Sequence, residues 1–306
     1  MFSRIPVKRT FLVFCLPALI LPLLAFSSRV PLPARSYPVQ LTSNISYGPY
    51  SDEILDQCTP LGAPPSRPGI IMIHGGGWSS GDKSHYDILC SEYAAEGFVA
   101  TTINYRLAPL HQWPDQIGDV QLAVRYMRMH AASTGLDAGR ICALGDSAGA
   151  HLALLLDELQ TIHPADVANI YPNTSPAVQC VVDQFGPTDL AQLYNENPNV
   201  QQTISDLLDY RTPPDPIYQN ASPLDNLDSQ TGQALIIQGT KDQIVFPNQS
   251  QELQQALQNL GIPVQYISYI GGHEYKGLTQ GQINNIMAQV NAFLLSVEPP
   301  RATSTP

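Results

Sequence analysis

One stretch joins an apolar run to a helix-forming run and decides the fold class: Arg140-Ile-Cys-Ala-Leu-Gly145-Asp146-Ser147-Ala148-Gly149-Ala150-His151. It contains the pattern G-x-S-x-G, with Ser147 at its centre. A serine at a sharp turn between a strand and a helix has an exposed hydroxyl, and glycines two residues to either side let the backbone pass closely without a Cβ clash. The stretch therefore predicts a strand–turn–helix unit that presents Ser147 as a nucleophile.

Outward from this turn, short apolar runs alternate with segments of helical period. We predict parallel strands at 69–73, 98–103, 141–144, 180–182, 234–237 and 264–270. Apolar residues at helical spacing run from Tyr86 to Tyr93, Ile117 to Met127, Leu253 to Leu260 and Ile283 to Leu294. This alternation predicts an α/β fold with a mostly parallel central sheet and helices on both faces.

One segment breaks the alternation, from Asp189 to about Leu227. It is rich in Asn, Asp, Pro and Tyr and is too long for an ordinary connection. Because it leaves the carboxyl end of a predicted strand, where open parallel sheets bind ligands, we predict a small lid-like insertion that walls the substrate site. The alternative is a surface excursion without a functional role.

The first residues carry the features of an export signal. Arg4, Lys8 and Arg9 precede an apolar run of 16 residues from Phe11 to Phe26, shorter than the roughly 20 residues of a membrane-spanning helix. We predict a signal peptide at 1–27, a linker at 28–40, a catalytic domain at 41–298 and a tail at 299–306. The protein is then secreted or periplasmic, and an uncleaved membrane anchor is the alternative.

The charge balance restricts the partners. The formal net charge is −11, and removal of residues 1–27, which carry three positive and no negative side chains, makes it −14. An acidic surface repels phosphate backbones and anionic lipid, so we expect no nucleic-acid partner and no membrane docking apart from the alternative of an N-terminal anchor. A small-molecule or polysaccharide-borne substrate fits this surface better.

Four cysteines remain outside the export segment, in a compartment that permits disulfides. Cys142 and Cys180 each lie in a predicted central strand, where a cysteine usually acts as a small apolar side chain, so we predict a bridge only between Cys58 and Cys90. The sequence contains no CxxC pair and no His-Cys cluster with metal-ligand spacing, and we expect neither a metal nor a cofactor.

A second glycine-rich stretch, His74-Gly75-Gly76-Gly77-Trp78, follows another predicted strand. Acyl transfer builds negative charge on the carbonyl oxygen, and fixed backbone amides aimed at that oxygen lower the barrier. We predict an oxyanion hole formed by the amides of Gly76, Gly77 and Ala148. Read alone, a glycine triplet is a flexible loop; its place before the nucleophile turn favours the catalytic interpretation.

A serine nucleophile needs a histidine base and a carboxylate that orients the histidine. Asp242 and His273 each follow a late predicted strand, in the order serine, aspartate, histidine, and we predict that they complete a triad with Ser147. Asp183 and Asp189 are rivals for the acid, since both follow the preceding strand. The other histidines precede or lie within helices and loops: His74, His85, His111, His130, His151 and His163.

Several ordered motifs together resemble one protein family. They are HGGGW at 74–78, YRLAP at 105–109, GDSAGAH at 145–151, VVDQFGPTDL at 181–190, TKDQIV at 240–245 and GGH at 271–273. Over about residues 45 to 297 the chain resembles the α/β-hydrolase branch of hormone-sensitive-lipase-like carboxylesterases and bacterial feruloyl and acetyl esterases. The resemblance implies the same triad and oxyanion amides, and an Arg106–Asp119 pair that braces the core.

The resulting functional prediction is a serine hydrolase that cleaves short-chain carboxylic esters through an acyl-enzyme. Two alternatives stay open. The HGG-x-W pattern also resembles arylformamidases, which would make the chain an amidase with the same triad. The second alternative is a non-catalytic ligand-binding protein on the same fold. Such proteins typically lack a member of the triad, whereas this chain contains Ser147, Asp242 and His273.

Overall fold

The computed structural model describes residues 36–158 and 170–298, and these residues form one eight-stranded sheet with helices around it. The strands are β1 (Val39–Ser46), β2 (Ile54–Pro60), β3 (Arg67–Ile73), β4 (Val99–Ile103), β5 (Leu136–Asp146), β6 (Cys180–Gln184), β7 (Gln233–Gly239) and β8 (Val264–Tyr269). The helices are α1 (Asp87–Glu96), α2 (Asp115–Met129), α3 (Ala131–Thr134), α4 (Ala148–Glu158), α5 (Leu190–Glu196), α6 (Gln201–Leu207), α7 (Ile217–Asn220), α8 (Pro223–Asn226), α9 (Pro247–Asn259) and α10 (Gln280–Val297).

The sheet has the order β1-β2-β4-β3-β5-β6-β7-β8, and β2 alone runs opposite to its neighbours. The mostly parallel sheet and all six predicted strands are confirmed. The sequence did not predict β1 or β2. β1 is an exposed edge strand with mostly polar residues, and β2 is buried but has Asp56 and Gln57 in its middle, so neither contains an apolar run. β1 also begins at Val39, two residues inside the predicted linker, while the predicted signal peptide and tail lie outside the described residues.

Apolar side chains fill both faces of the sheet. Along β5, Ile141 and Ala143 pack on the face covered by α2, α4 and α9, whereas Cys142 and Leu144 pack on the face covered by α1 and α10. Strand side chains alternate between faces, so each buried strand contributes to both layers. Among the helices of residues 36–158 and 170–298, none combines the length and the apolar composition of a membrane span.

Two disulfides link these elements. Cys58–Cys90 joins β2 to α1, as predicted. The prediction for Cys142 and Cys180 is wrong, because the two residues are direct partners in the β5–β6 register and form a second disulfide, with their Cα atoms 4.7 Å apart. Each residue does lie in a buried strand, but the register that brings them together depends on strand order, which the apolar runs do not reveal.

A buried ion pair braces the segment between β4 and α2. Arg106 is 2% exposed, and its Nη2 donates to Asp119 Oδ1 at 2.6 Å. Its guanidinium carbon lies 4.3 Å from the centre of the Tyr50 ring, close enough for a cation–π contact. The pairing that the family resemblance implied is therefore present, and it fixes the start of α2 against the sheet.

Candidate active site

Ser147 occupies the turn between β5 and α4. Its φ is +51°, in the left-handed region that non-glycine residues rarely adopt. Two hydrogen bonds stabilise this conformation: Ser147 N donates to Gln184 O at 2.9 Å, and His151 N donates to Ser147 O at 3.1 Å. The turn presents the hydroxyl at the N-terminus of α4, where backbone amides lack intrahelical acceptors.

The two glycines of the G-x-S-x-G pattern let three elements meet behind Ser147. A Cβ on Gly145 would clash with the backbone of Gly149, and a Cβ on Gly149 would clash with the carbonyl oxygen of Ile73. Because the neighbouring atoms belong to rigid backbone, no side chain fits at either position. The pattern therefore serves close packing of β3, β5 and α4, as the sequence predicted.

Asp242 and His273 lie at the same edge of the sheet as Ser147. His273 Nδ1 is 2.7 Å from Asp242 Oδ2, and His273 Nε2 is 2.9 Å from Ser147 Oγ. A proton on Nδ1 that is donated to the carboxylate leaves Nε2 as the acceptor for the serine hydroxyl. Asp242 is fully buried, and its Oδ1 accepts from the amides of Ile244 at 2.8 Å and Val245 at 3.1 Å.

The two rival carboxylates occupy other positions. Asp183 is fully buried at the end of β6, and its Oδ1 accepts from Gly186 N at 2.7 Å. Burial raises the pKa of Asp183 to about 7, because the charged form loses its hydration. Asp189 caps α5 by accepting from Gln192 N at 2.8 Å. Each therefore has a local structural partner instead of His273.

His74 and His151 are also accounted for by structural contacts. His74 stacks on Tyr105 with ring centroids 4.5 Å apart, and burial lowers its pKa. His151 is fully buried; its Nδ1 accepts from Trp78 Nε1 at 3.2 Å, and its Nε2 donates to Ala221 O at 2.7 Å. Burial lowers the pKa of His151 to about 4, so it stays neutral. The bridge from α4 to Trp78 is a contact that the sequence analysis missed, since no local pattern marks a histidine that bridges three distant segments.

The glycine loop lies beside the nucleophile. Gly75 N donates to Asp146 Oδ1 at 3.0 Å, which ties the loop to the residue before Ser147. Gly76 and Gly77 have φ values of +104° and +59°, so the loop needs glycine at both positions. Within the described residues, the amides of Gly76, Gly77 and Ala148 donate to no protein acceptor. Gly77 and Ala148 line the same pocket as Ser147, whereas Gly76 lines a neighbouring opening.

That pocket is small, with a volume of about 50 Å³. The insertion between β6 and β7 supplies one of its walls through Leu193, Val200, Thr203 and Ile204. A Cβ on Gly77 would lie 2.8 Å from Thr203 Cγ2, so the insertion and the glycine loop are in close contact. The insertion therefore walls the pocket at Ser147, and its role at a substrate site stays a prediction.

Among the described residues, no group of three or more His, Cys, Asp or Glu side chains is placed to hold a metal ion. The polar groups at Ser147 form a hydroxyl–imidazole–carboxylate chain beside the backbone amides of Gly77 and Ala148. Such an arrangement can activate a hydroxyl for attack on a carbonyl and stabilise the oxyanion that results.

The strand order, the turn at Ser147 and the positions of Asp242 and His273 define an α/β-hydrolase fold. Within this class, the chain belongs to the BD-FAE family, which it matches over residues 55–257.

Known relatives are esterases. The chain is 30% identical to Esterase LipQ of Mycobacterium tuberculosis (strain ATCC 25618 / H37Rv) over 275 residues, which cover 88% of this chain and 65% of LipQ. This chain thus spans slightly less than two-thirds of that relative's length.

Solved structures show the same fold. A truncated carbohydrate esterase from gut microbiota superposes with a TM-score of 0.71 at 25% identity, covering 85% of this chain and 98% of that one. The thermophilic esterase Est2 of Thermogutta terrifontis gives a TM-score of 0.71 at 20% identity, covering 90% and 98% of the two chains.

Proposed function

We propose that this chain hydrolyses short-chain carboxylic esters, with Ser147 as nucleophile, His273 as general base and acid, and Asp242 as the orienting carboxylate. The observation that carries the proposal is the continuous hydrogen-bonded chain from Ser147 Oγ through His273 to Asp242, with separations of 2.9 and 2.7 Å. Membership of the BD-FAE family and the esterase names of its relatives support ester hydrolysis as the reaction class.

In the acylation step, His273 Nε2 takes the hydroxyl proton of Ser147 as Oγ forms a bond to the carbonyl carbon. Asp242 stabilises the imidazolium through the Nδ1 hydrogen bond. The amides of Gly76, Gly77 and Ala148 donate to the developing oxyanion, and loss of one such donor typically lowers kcat by about 10²- to 10³-fold. The bond between the carbonyl carbon and the alcohol oxygen then breaks as His273 gives its proton to that oxygen, the alcohol departs, and the acyl group stays on Ser147.

The second half of the reaction repeats these steps with water. His273 removes a proton from water, the hydroxide oxygen attacks the acyl carbon, and the C–O bond to Ser147 breaks as His273 returns the proton to Oγ. The carboxylic acid leaves, and the free serine is restored. No metal or cofactor takes part in this scheme.

The proposed preference for short acyl groups rests on the size of the pocket at Ser147. Its volume of about 50 Å³ and its apolar wall from Leu193 and Ile204 fit an acyl group of a few carbons. A series of p-nitrophenyl esters from acetate to octanoate tests this directly. We expect kcat/KM to be highest for acetate to butyrate, and an increase toward octanoate would contradict the proposed acyl preference.

Two alternative functions can be separated from this one by the same assays. An arylformamidase-like amidase would hydrolyse an aryl formamide in preference to p-nitrophenyl acetate, whereas we expect the ester to react faster in direct competition. A non-catalytic ligand-binding protein would hydrolyse neither compound. The complete triad geometry favours turnover over both passive binding and an idle serine.

A further inference from the structure

A groove separate from the pocket at Ser147 lies on the His273 side of the site. It has a volume of about 700 Å³ and extends from Asp146 and Phe185 to the first turns of α10. An adjoining opening of about 350 Å³ lies against the glycine loop and shares His85, Asp146 and Glu274 with it. Together the two openings form one surface from Gly76 to α10, which we call the His273-side groove.

The direction of proton transfer assigns an occupant to this groove. In the proposed reaction, His273 Nε2 donates its proton to the leaving oxygen, so the alcohol must depart on the side of His273. The Phe185 ring, which lines the groove, lies 4.9 Å from the His273 ring, and Glu274 directly follows His273 in the chain. The small pocket contains no residue of the His273 loop, which is consistent with the acyl group lying there.

The groove is negatively charged. Asp146 is 6% exposed; its Oδ1 accepts from Tyr86 Oη at 2.7 Å and from Gly75 N, whereas its Oδ2 accepts no hydrogen bond from the described residues. Glu92 and Glu274 are exposed and form no hydrogen bond or ion pair within the described part of the chain. The one exposed basic side chain in the described lining is His85, which lies 3.7 Å from Asp146.

Aromatic side chains stand beside these carboxylates. Tyr275 donates to Gln184 Oε1 at 2.6 Å, and its ring lies 5.2 Å from that of Phe185, so the two rings are held in a fixed arrangement. Tyr86 lines the groove as well. Aromatic faces attract ammonium groups, and nearby carboxylates add to that attraction.

We propose that the His273-side groove receives the alcohol part of the ester, and that Glu274, Glu92 and Asp146 make it prefer cationic alcohols over neutral ones and neutral alcohols over anionic ones. This inference rests on the proposed function, since it concerns the alcohol that His273 protonates. It names a substrate property that the triad itself does not determine.

Three acetate esters with alcohols of similar size test the charge preference: acetylcholine, its uncharged analogue 3,3-dimethylbutyl acetate, and the anionic 2-sulfoethyl acetate. We expect wild-type kcat/KM to decrease in that order. Glu274→Gln removes one unpaired charge and should lower the ratio of cationic to neutral kcat/KM roughly three- to tenfold, as expected for one charge several ångströms away. Added salt should reduce the same ratio.

A matched control removes a carboxylate elsewhere. Asp228 is exposed and precedes β7, at the edge of the sheet opposite Ser147, so Asp228→Asn should leave all three ratios at their wild-type values. An absence of cation preference in the wild type, or equal ratios in Glu274→Gln and wild type, would overturn the inference while hydrolysis of p-nitrophenyl acetate still supports the proposed function. Failure to hydrolyse p-nitrophenyl acetate would instead overturn the proposed function, and this inference with it.

Discussion

At the scale of single residues, the assignment of the acid depends on a contact that strand order alone does not reveal. Asp183 lies in β6 and Asp242 follows the neighbouring strand β7, yet His273 Nδ1 lies 2.7 Å from Asp242, whereas Asp183 accepts from the amide of Gly186. The sequence favoured Asp242 by its position in the motif order, and the geometry explains why a carboxylate one strand away does not replace it.

Asp242→Asn should therefore lower kcat by about 10⁴-fold, because an amide favours the wrong imidazole tautomer and leaves no lone pair toward Ser147. Asp183→Asn provides the matched control and should retain most of the activity, since its side chain does not contact His273. Both variants are compared on p-nitrophenyl acetate, with melting temperatures to verify folding. A large loss in Asp183→Asn and a small one in Asp242→Asn would reverse the assignment.

The raised pKa of Asp183 predicts how the free energy of unfolding depends on pH. Burial raises its pKa from 3.8 to about 7, so between these values the folded state binds a proton that the unfolded state has released. The free energy of unfolding therefore decreases as pH rises from about 4 to 7, by at most about 4 kcal/mol for this residue. Asp183→Asn removes the titration and should flatten this decline, which denaturant titrations at pH 5 and 8 would measure.

In Asp183→Asn, the free energy of unfolding should still decrease somewhat as pH rises. Burial also raises the pKa of Glu53 to about 7, and Glu53 is fully buried. An identical pH dependence in wild type and Asp183→Asn would show that Asp183 does not gain a proton on folding.

At the scale of secondary-structure elements, the sequence predicted the elements that carry buried apolar runs. It found β3 to β8 and the helices on both faces, but not β1 and β2, whose residues lack that pattern. It also identified the insertion from Asp189, although not its helices. The reason is physical: short helices such as α7, at four residues, depend on tertiary packing and carry little periodicity of their own.

Helix α6 lines part of the small pocket, so we expect substitutions in it to alter the preference for acyl length. Ile204 is buried and lines the small pocket, so Ile204→Ala should enlarge it and raise the ratio of kcat/KM for hexanoate over acetate. Leu207 lies on the same helix and is fully buried but is not part of the pocket lining, which makes Leu207→Ala a control for lost packing. A similar change of ratio in both variants would mean that α6 affects acyl preference only through stability.

At the scale of the whole molecule, the N-terminal sequence and the cysteines bear on the compartment of the protein. We propose that the chain is exported and that residues 1–27 are removed, which takes the net charge from −11 to −14. The two disulfides Cys58–Cys90 and Cys142–Cys180 are consistent with an oxidising compartment.

A count of free thiols tests both removal of the signal peptide and formation of the two disulfides. Of the five cysteines, four are paired and Cys15 lies in the predicted signal peptide. Protein purified from its natural compartment and denatured without reductant should therefore show no free thiol. One thiol per chain would contradict cleavage of the signal peptide, and two or more would contradict at least one of the two disulfides.

Covalent labelling shows whether Ser147 is the nucleophile of an esterase. A fluorophosphonate probe should attach once per chain, on the peptide that contains Ser147, and p-nitrophenyl acetate hydrolysis should fall in proportion to labelling. Ser147→Ala should take up no label and hydrolyse no ester while keeping the wild-type melting temperature. Label at another residue, or wild-type turnover by Ser147→Ala, would show that Ser147 is not the nucleophile.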